Sequence, residues 1–166
     1  MQKRRFYATQ LMKLLFQVLL YVLLFTAFWA MLSITNIGLH TISRTAVTTA
    51  VTFAVATLLL TIVYGGYDIG VKKMRSVFAS LSMAAFFADL ITYVQLQIMN
   101  TNPQNPEANA HLVLWGEDLA LLMGAFLLQI GVIYFFVVLG NNAYWRINPP
   151  KNCCIITSSE ELARHV

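Results

Sequence analysis

Few residues in this chain could do chemistry, and the sharpest is an acid in apolar surroundings. Asp89 sits within Ala88-Asp89-Leu90-Ile91-Thr92-Tyr93, in a run with no other charge. A carboxyl inserted into hydrocarbon costs about 2.5–3.5 kcal/mol, so it must face protein and find a partner. Two roles fit. One is a proton or cation site in a transporter. The other is interhelical glue, worth about 0.6–2 kcal/mol. A transporter should add a second ionisable group or a pair of broken helices. The apolar runs contain no His, Glu, Lys, Arg or Pro. Tyr93 is one turn from Asp89 on the same helical face and reads as an interface aromatic.

Other reactive types are scattered. His40, His111 and His165 are far apart, and none pairs with Cys or a carboxylate at metal-ligand spacing. Cys153 and Cys154 are adjacent, so they make neither a CxxC site nor a disulfide framework. Glu117-Asp118 and Glu160-Glu161 read as acids in loops or at helix starts, where they complement the dipole. No nucleophile–base pair is visible, and no catalytic residue, metal ligand or cofactor site is assigned.

These residues must be positioned by elements that live in lipid. Of the 166 residues, 58% are hydrophobic and 11% charged, against about 25% charged in a soluble domain. Mean hydropathy is +0.67. So short a chain has too little interior to bury that excess. Four runs, Leu14–Ile34, Ala46–Tyr64, Val77–Met99 and Leu119–Gly140, are each long enough to cross a hydrocarbon core of about 30 Å. They are unbroken rather than alternating, so helices are expected, not a barrel. The first run exceeds a signal-peptide core and reads as a retained anchor. The fold class is therefore an all-α, four-helix transmembrane bundle (14–141). A basic segment (1–13) precedes it and a tail (142–166) follows.

Every Lys and Arg except Arg44 lies in the N-terminal segment, the second loop or the tail. That bias predicts both termini in the cytoplasm. Tyr64, Tyr67, Trp115, Tyr144 and Trp145 fall where interfacial belts belong. The net charge of +4 reads as topology and as attraction to anionic lipid, not as a nucleic-acid surface.

Depth arithmetic supplies a partner for the acid. Asp89 lies ten residues from Met99, and Gln129 ten from Leu119 on the antiparallel fourth run, so both sit about 15 Å deep. Thr57 falls close to that level. A hydrogen bond between Asp89 and Gln129 is expected. Thr45, Thr48, Thr49 and Thr52, beside Ala46, Ala50 and Ala54, mark a close helix–helix face, within the chain or in a homodimer.

The loops look plain. Gly65-Gly66-Tyr67-Asp68-Ile69-Gly70 has no phosphate-loop spacing and reads as a tight turn before a basic segment. Asn100–Asp118 reads as a solvated turn. In the tail, Cys153-Cys154-Ile155-Ile156-Thr157 is a short strand signal. Ser158 with Glu161 fits a capping box, so a strand–turn–helix unit begins there.

This order of segments resembles the bacterial polyprenyl-phosphate sugar-phosphate transferases that initiate exopolysaccharide and capsule synthesis. The residues that carry the resemblance are Tyr64-Gly65-Gly66-Tyr67-Asp68-Ile69-Gly70, Ala88-Asp89-Leu90-Ile91-Thr92-Tyr93-Val94-Gln95, Pro149-Pro150-Lys151 and Cys153-Cys154-Ile155-Ile156. The last segment resembles the first strand of that family's Rossmann-like domain, although the turn after it lacks glycine. None of the 166 residues resembles that family's catalytic domain, so the resemblance is to its membrane part, as a fragment, a truncated product or a separated subunit. The resemblance implies a non-catalytic module in the bacterial inner membrane that anchors such a transferase and can dimerise it. Its implied partners are a catalytic domain or polysaccharide-assembly proteins. A small proton-coupled transporter using Asp89, and a stand-alone scaffold, are the other readings.

Overall fold

The computed structural model describes residues 2–40, 42–101 and 117–149. Four long helices account for most of them: α1 (Gln2–Leu32), α2 (Arg44–Val63), α3 (Met74–Thr101) and α4 (Glu117–Ile147). All four are long and apolar enough to cross a membrane. A single 3-10 turn, Ile37–Leu39, lies between α1 and α2. Among the described residues there is no strand. The strand–turn–helix expectation at 153–161, His111, His165 and Trp115 lie outside the described residues.

Local chemistry sets the helix ends. Ser43 caps α2 by accepting from Ala46 N at 2.9 Å, while its own hydroxyl donates to the Gly38 carbonyl at 2.6 Å. At the other end of α2, Gly66 N donates to Thr61 O at 2.7 Å, the backward bond of a Schellman-type stop. Glu117 and Asp118 occupy the first turn of α4 and Arg146 its last, each matching the helix dipole. Two helices overrun their expected spans. The basic N-terminal segment is part of α1 from Gln2, and α4 continues past Gly140 to Ile147. Apolar content marks hydrocarbon thickness, whereas a helix continues wherever its backbone bonds are satisfied.

Around the bundle, α1 packs on α4, α4 on α3 and α3 on α2, while α1 and α2 barely meet. Leu20, Leu24, Phe28 and Leu32 of α1 share one core with Phe53, Leu81, Ala85, Leu96, Leu122 and Ile133. Phe53 of α2 reaches across to Phe25 and Phe28, with ring centroids 5.4 Å from each. The outward faces are also apolar. Val47, Val51, Val55, Leu59, Leu127 and Phe135 are all more than half exposed. A soluble bundle puts charge there, and a transmembrane one needs only lipid. The protein is a four-helix, multi-pass membrane bundle.

The threonine and alanine stripes of α2 part company. Thr45, Ala46, Thr49 and Thr57 are buried, whereas Thr48 and Ala54 are exposed. The buried face continues through Phe53, Ala56 and Thr61.

Candidate functional site

The four residues singled out from sequence converge on the interior of the bundle. Asp89 is 2% exposed and Gln129 is fully buried. Gln129 Nε2 donates to Asp89 Oδ1 at 2.9 Å and also to the Leu24 carbonyl at 3.1 Å. One amide therefore ties α4 to both α3 and α1. Asp89 Oδ2, Gln129 Oε1 and Thr57 Oγ1 are buried with no hydrogen-bond partner among the described residues. Thr57 is at depth on α2 but makes no hydrogen bond to the pair. Thr49, Thr61 and Thr92 turn their hydroxyls onto the backbone of their own helices instead. Tyr93 is 9% exposed, one turn from Asp89, and lies beside the Gln97 side chain.

A second polar cluster, not expected from sequence, lies at the end of the bundle where α1 stops and α4 starts. Asp118 is only 8% exposed. Its carboxylate accepts from Thr35 Oγ1 at 2.5 Å and from Gln97 Nε2 at 3.1 Å. Asn36 Nδ2 donates to Thr35 Oγ1 at 3.1 Å, and Asn100 Nδ2 donates to Asn36 Oδ1 at 2.6 Å. The chain of bonds thus joins the end of α1, α3 and α4. Asp118 had read as an acid of a solvated loop. It is buried because α4 begins one residue earlier, which turns Asp118 onto the inward face shared by Leu122 and Ala125. The available signal was the four-residue spacing of Asp89, Tyr93 and Gln97, which continues the face of Asp89 towards this end.

The opposite end closes differently. The segment between α2 and α3 folds under the bundle, so Tyr67 and Ile69 are 5% and 2% exposed. Tyr67 Oη donates to the Phe136 carbonyl at 3.1 Å. A Cβ on Gly140 would lie 2.5 Å from Ile69 Cδ1 and 2.6 Å from Tyr67 Oη, so a larger residue there would have to push the ends of both side chains aside. The simple turn expected here is instead an apolar plug, and Tyr67 is no interfacial anchor. Burial pushes the Tyr67 phenol well above its ordinary pKa of 10.0. Around the plug, Lys72 pairs with Asp68 at 3.2 Å and donates to the Gly65 carbonyl at 2.6 Å. The Lys13 ammonium sits 5.4 Å from the Tyr144 ring centroid. Asn148 Nδ2 donates to Thr9 Oγ1 at 3.1 Å, which pins the exit of α4 to the start of α1.

A third feature is a cleft of about 480 Å³ on the flank where α1 and α2 diverge, lined by Phe25, Trp29, Leu39, His40, Ala46 and Ala50. The His40 Nε2 at its rim contacts the Ser33 carbonyl. Thr26 also lines it, with its hydroxyl donating to the Leu23 carbonyl at 2.9 Å, and the rest of the lining is mostly apolar.

The chemistry open to the interior is narrow. A buried carboxyl with one oxygen held and one without a partner can take up or release a proton. Among the described residues no nucleophile stands beside a base, and no three His, Cys, Asp or Glu side chains group for a metal. Comparison with family models, with curated proteins and with solved structures returns no match.

Proposed function

We propose that this chain is a non-catalytic membrane-anchoring and dimerising module of an enzyme that transfers a sugar 1-phosphate from a nucleotide sugar to a polyprenyl phosphate. The observation that supports this reading most is the pinned end of the bundle. The start of α1 and the exit of α4 meet through Thr9 and Asn148. The segment after α4 therefore leaves the bundle beside the start of the chain. Lys13, Lys72, Lys73, Arg75 and Arg146 belong to the elements that meet at this same end. In the bacterial inner membrane such a basic end faces the cytoplasm and its anionic lipids, where nucleotide sugars are found. The resemblance in Tyr64–Gly70 and Ala88–Gln95 points to the same class of enzyme. The apolar outer face of α2, with Ala50 and Ala54 among its valines, suits contact with a second copy.

The test is sugar-phosphate transfer in vesicles, with the reading frame after the Val166 codon as the variable. A frame that continues into a transferase domain should give transfer with the continued chain and none with residues 1–166. Transfer by residues 1–166 alone would remove the anchoring role, and a stop codon there would remove the transferase.

A second reading, a small proton-coupled transporter, draws support from the unpartnered Oδ2 of Asp89. It expects Asp89→Asn to fold and to abolish transport.

A further inference from the structure

The buried face of α3 changes character at Asp89. From one end it runs Val77, Leu81, Ala84, Ala85 and Ala88, and from Asp89 onward it runs Asp89, Thr92, Tyr93, Leu96 and Asn100. On α4 the same division falls at Gln129. Asp118 and Gln129 lie on one side, with the apolar Leu122 and Ala125 between them, and Ile133, Phe136, Val137 and Gly140 lie on the other, where no buried side chain of α4 is polar. Buried polar atoms without partners among the described residues follow this division. Asp89 Oδ2, Gln129 Oε1, Asn100 Oδ1 and both amide atoms of Gln95 belong to the Asp118 side, and Thr57 Oγ1 lies near the boundary. In the other half, Ser82 Oγ is alone among the described residues, next to a flank cleft by Phe86 and Phe126.

Buried polar groups normally find a partner, and where protein supplies none, ordered water does. A water needs two to four polar neighbours. Tyr93, Gln97, Asp118, Thr35, Asn36 and Asn100 supply them from Asp89 to the end of the bundle. Towards the other end, Ile133, Val137 and the plug of Tyr67 and Ile69 offer almost none. We infer that the polar half carries a file of water that connects Asp89 to the aqueous phase at the Asp118 end only, so that Asp89 takes up and releases protons from one face of the membrane.

The step is simple. A hydronium ion in the file gives its proton to Asp89 Oδ2, an O–H bond forms, and water remains. Release reverses it. Gln129 is a positioning residue, since its amide holds Oδ1 and leaves Oδ2 turned elsewhere. The groups facing this acid are few. Its own helix offers Tyr93, and α4 offers Asp118 at the mouth. The buried residues of α1 (Leu20, Leu24, Phe28, Leu32) and of α2 (Thr49, Phe53, Thr57, Thr61) do not ionise. Among the described residues no charged side chain touches Asp89, and the Asp118 carboxylate lies about three helical turns away along α4 from Gln129.

The inference deepens the transporter reading by assigning the side of access. Access can hold in a pure anchor, and transport by Asp89 can stand even if access proves to come from the other face. The experiment uses the full chain in sealed vesicles of one orientation, with the pH of each bath set separately. Dicyclohexylcarbodiimide dissolves in lipid, modifies protonated carboxyls, and is read on the Asp89 peptide by mass spectrometry. Modification should follow the bath at the Asp118 end, by up to about tenfold per pH unit for a single titrating site. A yield that follows the opposite bath, or neither, overturns the inference.

A second measurement does not touch Asp89. Tyr93→Cys and Gln97→Cys, on a Cys153→Ser, Cys154→Ser background, should react with a membrane-impermeant thiosulfonate added at the Asp118 end. Leu81→Cys and Ala85→Cys should not. Equal protection at all four positions also overturns it.

Discussion

The two halves of this bundle are built from the same helices but are held by different physics. The half around the plug is held by volume and shape: Tyr67 and Ile69 fill the space above Gly140, and Ile133 and Val137 pack behind them. Among the described residues its long-range polar ties are the Tyr67 hydroxyl on the Phe136 carbonyl and, at the rim, the Asn148 amide on the Thr9 hydroxyl. The half around Asp118 is held by hydrogen bonds that pass from α1 to α3 and α4 through Thr35, Asn36, Gln97 and Asn100. In lipid, apolar packing gains little from leaving water, so close contact and internal hydrogen bonds decide helix association. One half relies on the first and the other on the second. The acid sits at their boundary.

Substitutions can break or sharpen this contrast, each read as a shift in unfolding in detergent micelles. The largest effect is expected at the plug from added volume. Gly70 has φ +81, and a Cβ there would run into the Tyr144 ring. Gly70→Val combines a left-handed backbone with overpacking and should cost about 3 kcal/mol or more. Tolerance of valine there would show that the plug is not held by shape.

Next comes the boundary. Gln129→Leu leaves Asp89 buried without its donor and should cost about 2 kcal/mol. The pair Asp89→Leu with Gln129→Leu should recover most of that loss, because no polar group is then stranded. Strictly additive losses would mean that the two side chains do not support each other.

In the polar half, Gln97→Leu removes one of the two donors to Asp118 and should cost about 1–2 kcal/mol. A loss within about 0.3 kcal/mol of zero would place the strength of that end in packing after all.

The smallest effect belongs to the Tyr67 hydroxyl, the buried polar tie of the plug. Tyr67→Phe should cost about 1 kcal/mol at neutral pH. It should also change the alkaline limb. Burial raises the folded-state pKa of the phenol above its unfolded value of 10.0. Its contribution is fully present below pH about 10 and is lost as the pH rises further, because the unfolded chain then gives up the proton first. The wild type should lose stability above that pH more steeply than Tyr67→Phe. Parallel alkaline limbs would mean that Tyr67 reaches solvent.

Much of this arrangement was legible in the residues themselves. Long apolar runs cross the bilayer as helices because lipid satisfies no backbone group, so four spans could be placed to within a few residues at most ends. The inward direction of Asp89 and its level with Gln129 followed from the cost of a carboxyl in hydrocarbon and the fixed rise of a helix. The Asp118 network was not legible. Thr35, Asn36, Asn100 and Asp118 look like ordinary loop and helix-end residues, and their side chains meet only once three helix ends are brought together. The plug was missed for a related reason. Tyr67 and Ile69 lie in a glycine-rich turn, and nothing local says that Gly140 has made room for them.

The sequence alone determined the solvent of this protein, its helix count and the depth of its one intramembrane acid. These depend on composition, length and a rise per residue that every helix shares. Only the tertiary structure decided which side chains fill each half of the interior. Helix periodicity says which face turns inward, but not which neighbour it meets. That choice rests on the fit of whole surfaces, here α1 against α4 and α2 against α3, with a loop folded beneath them.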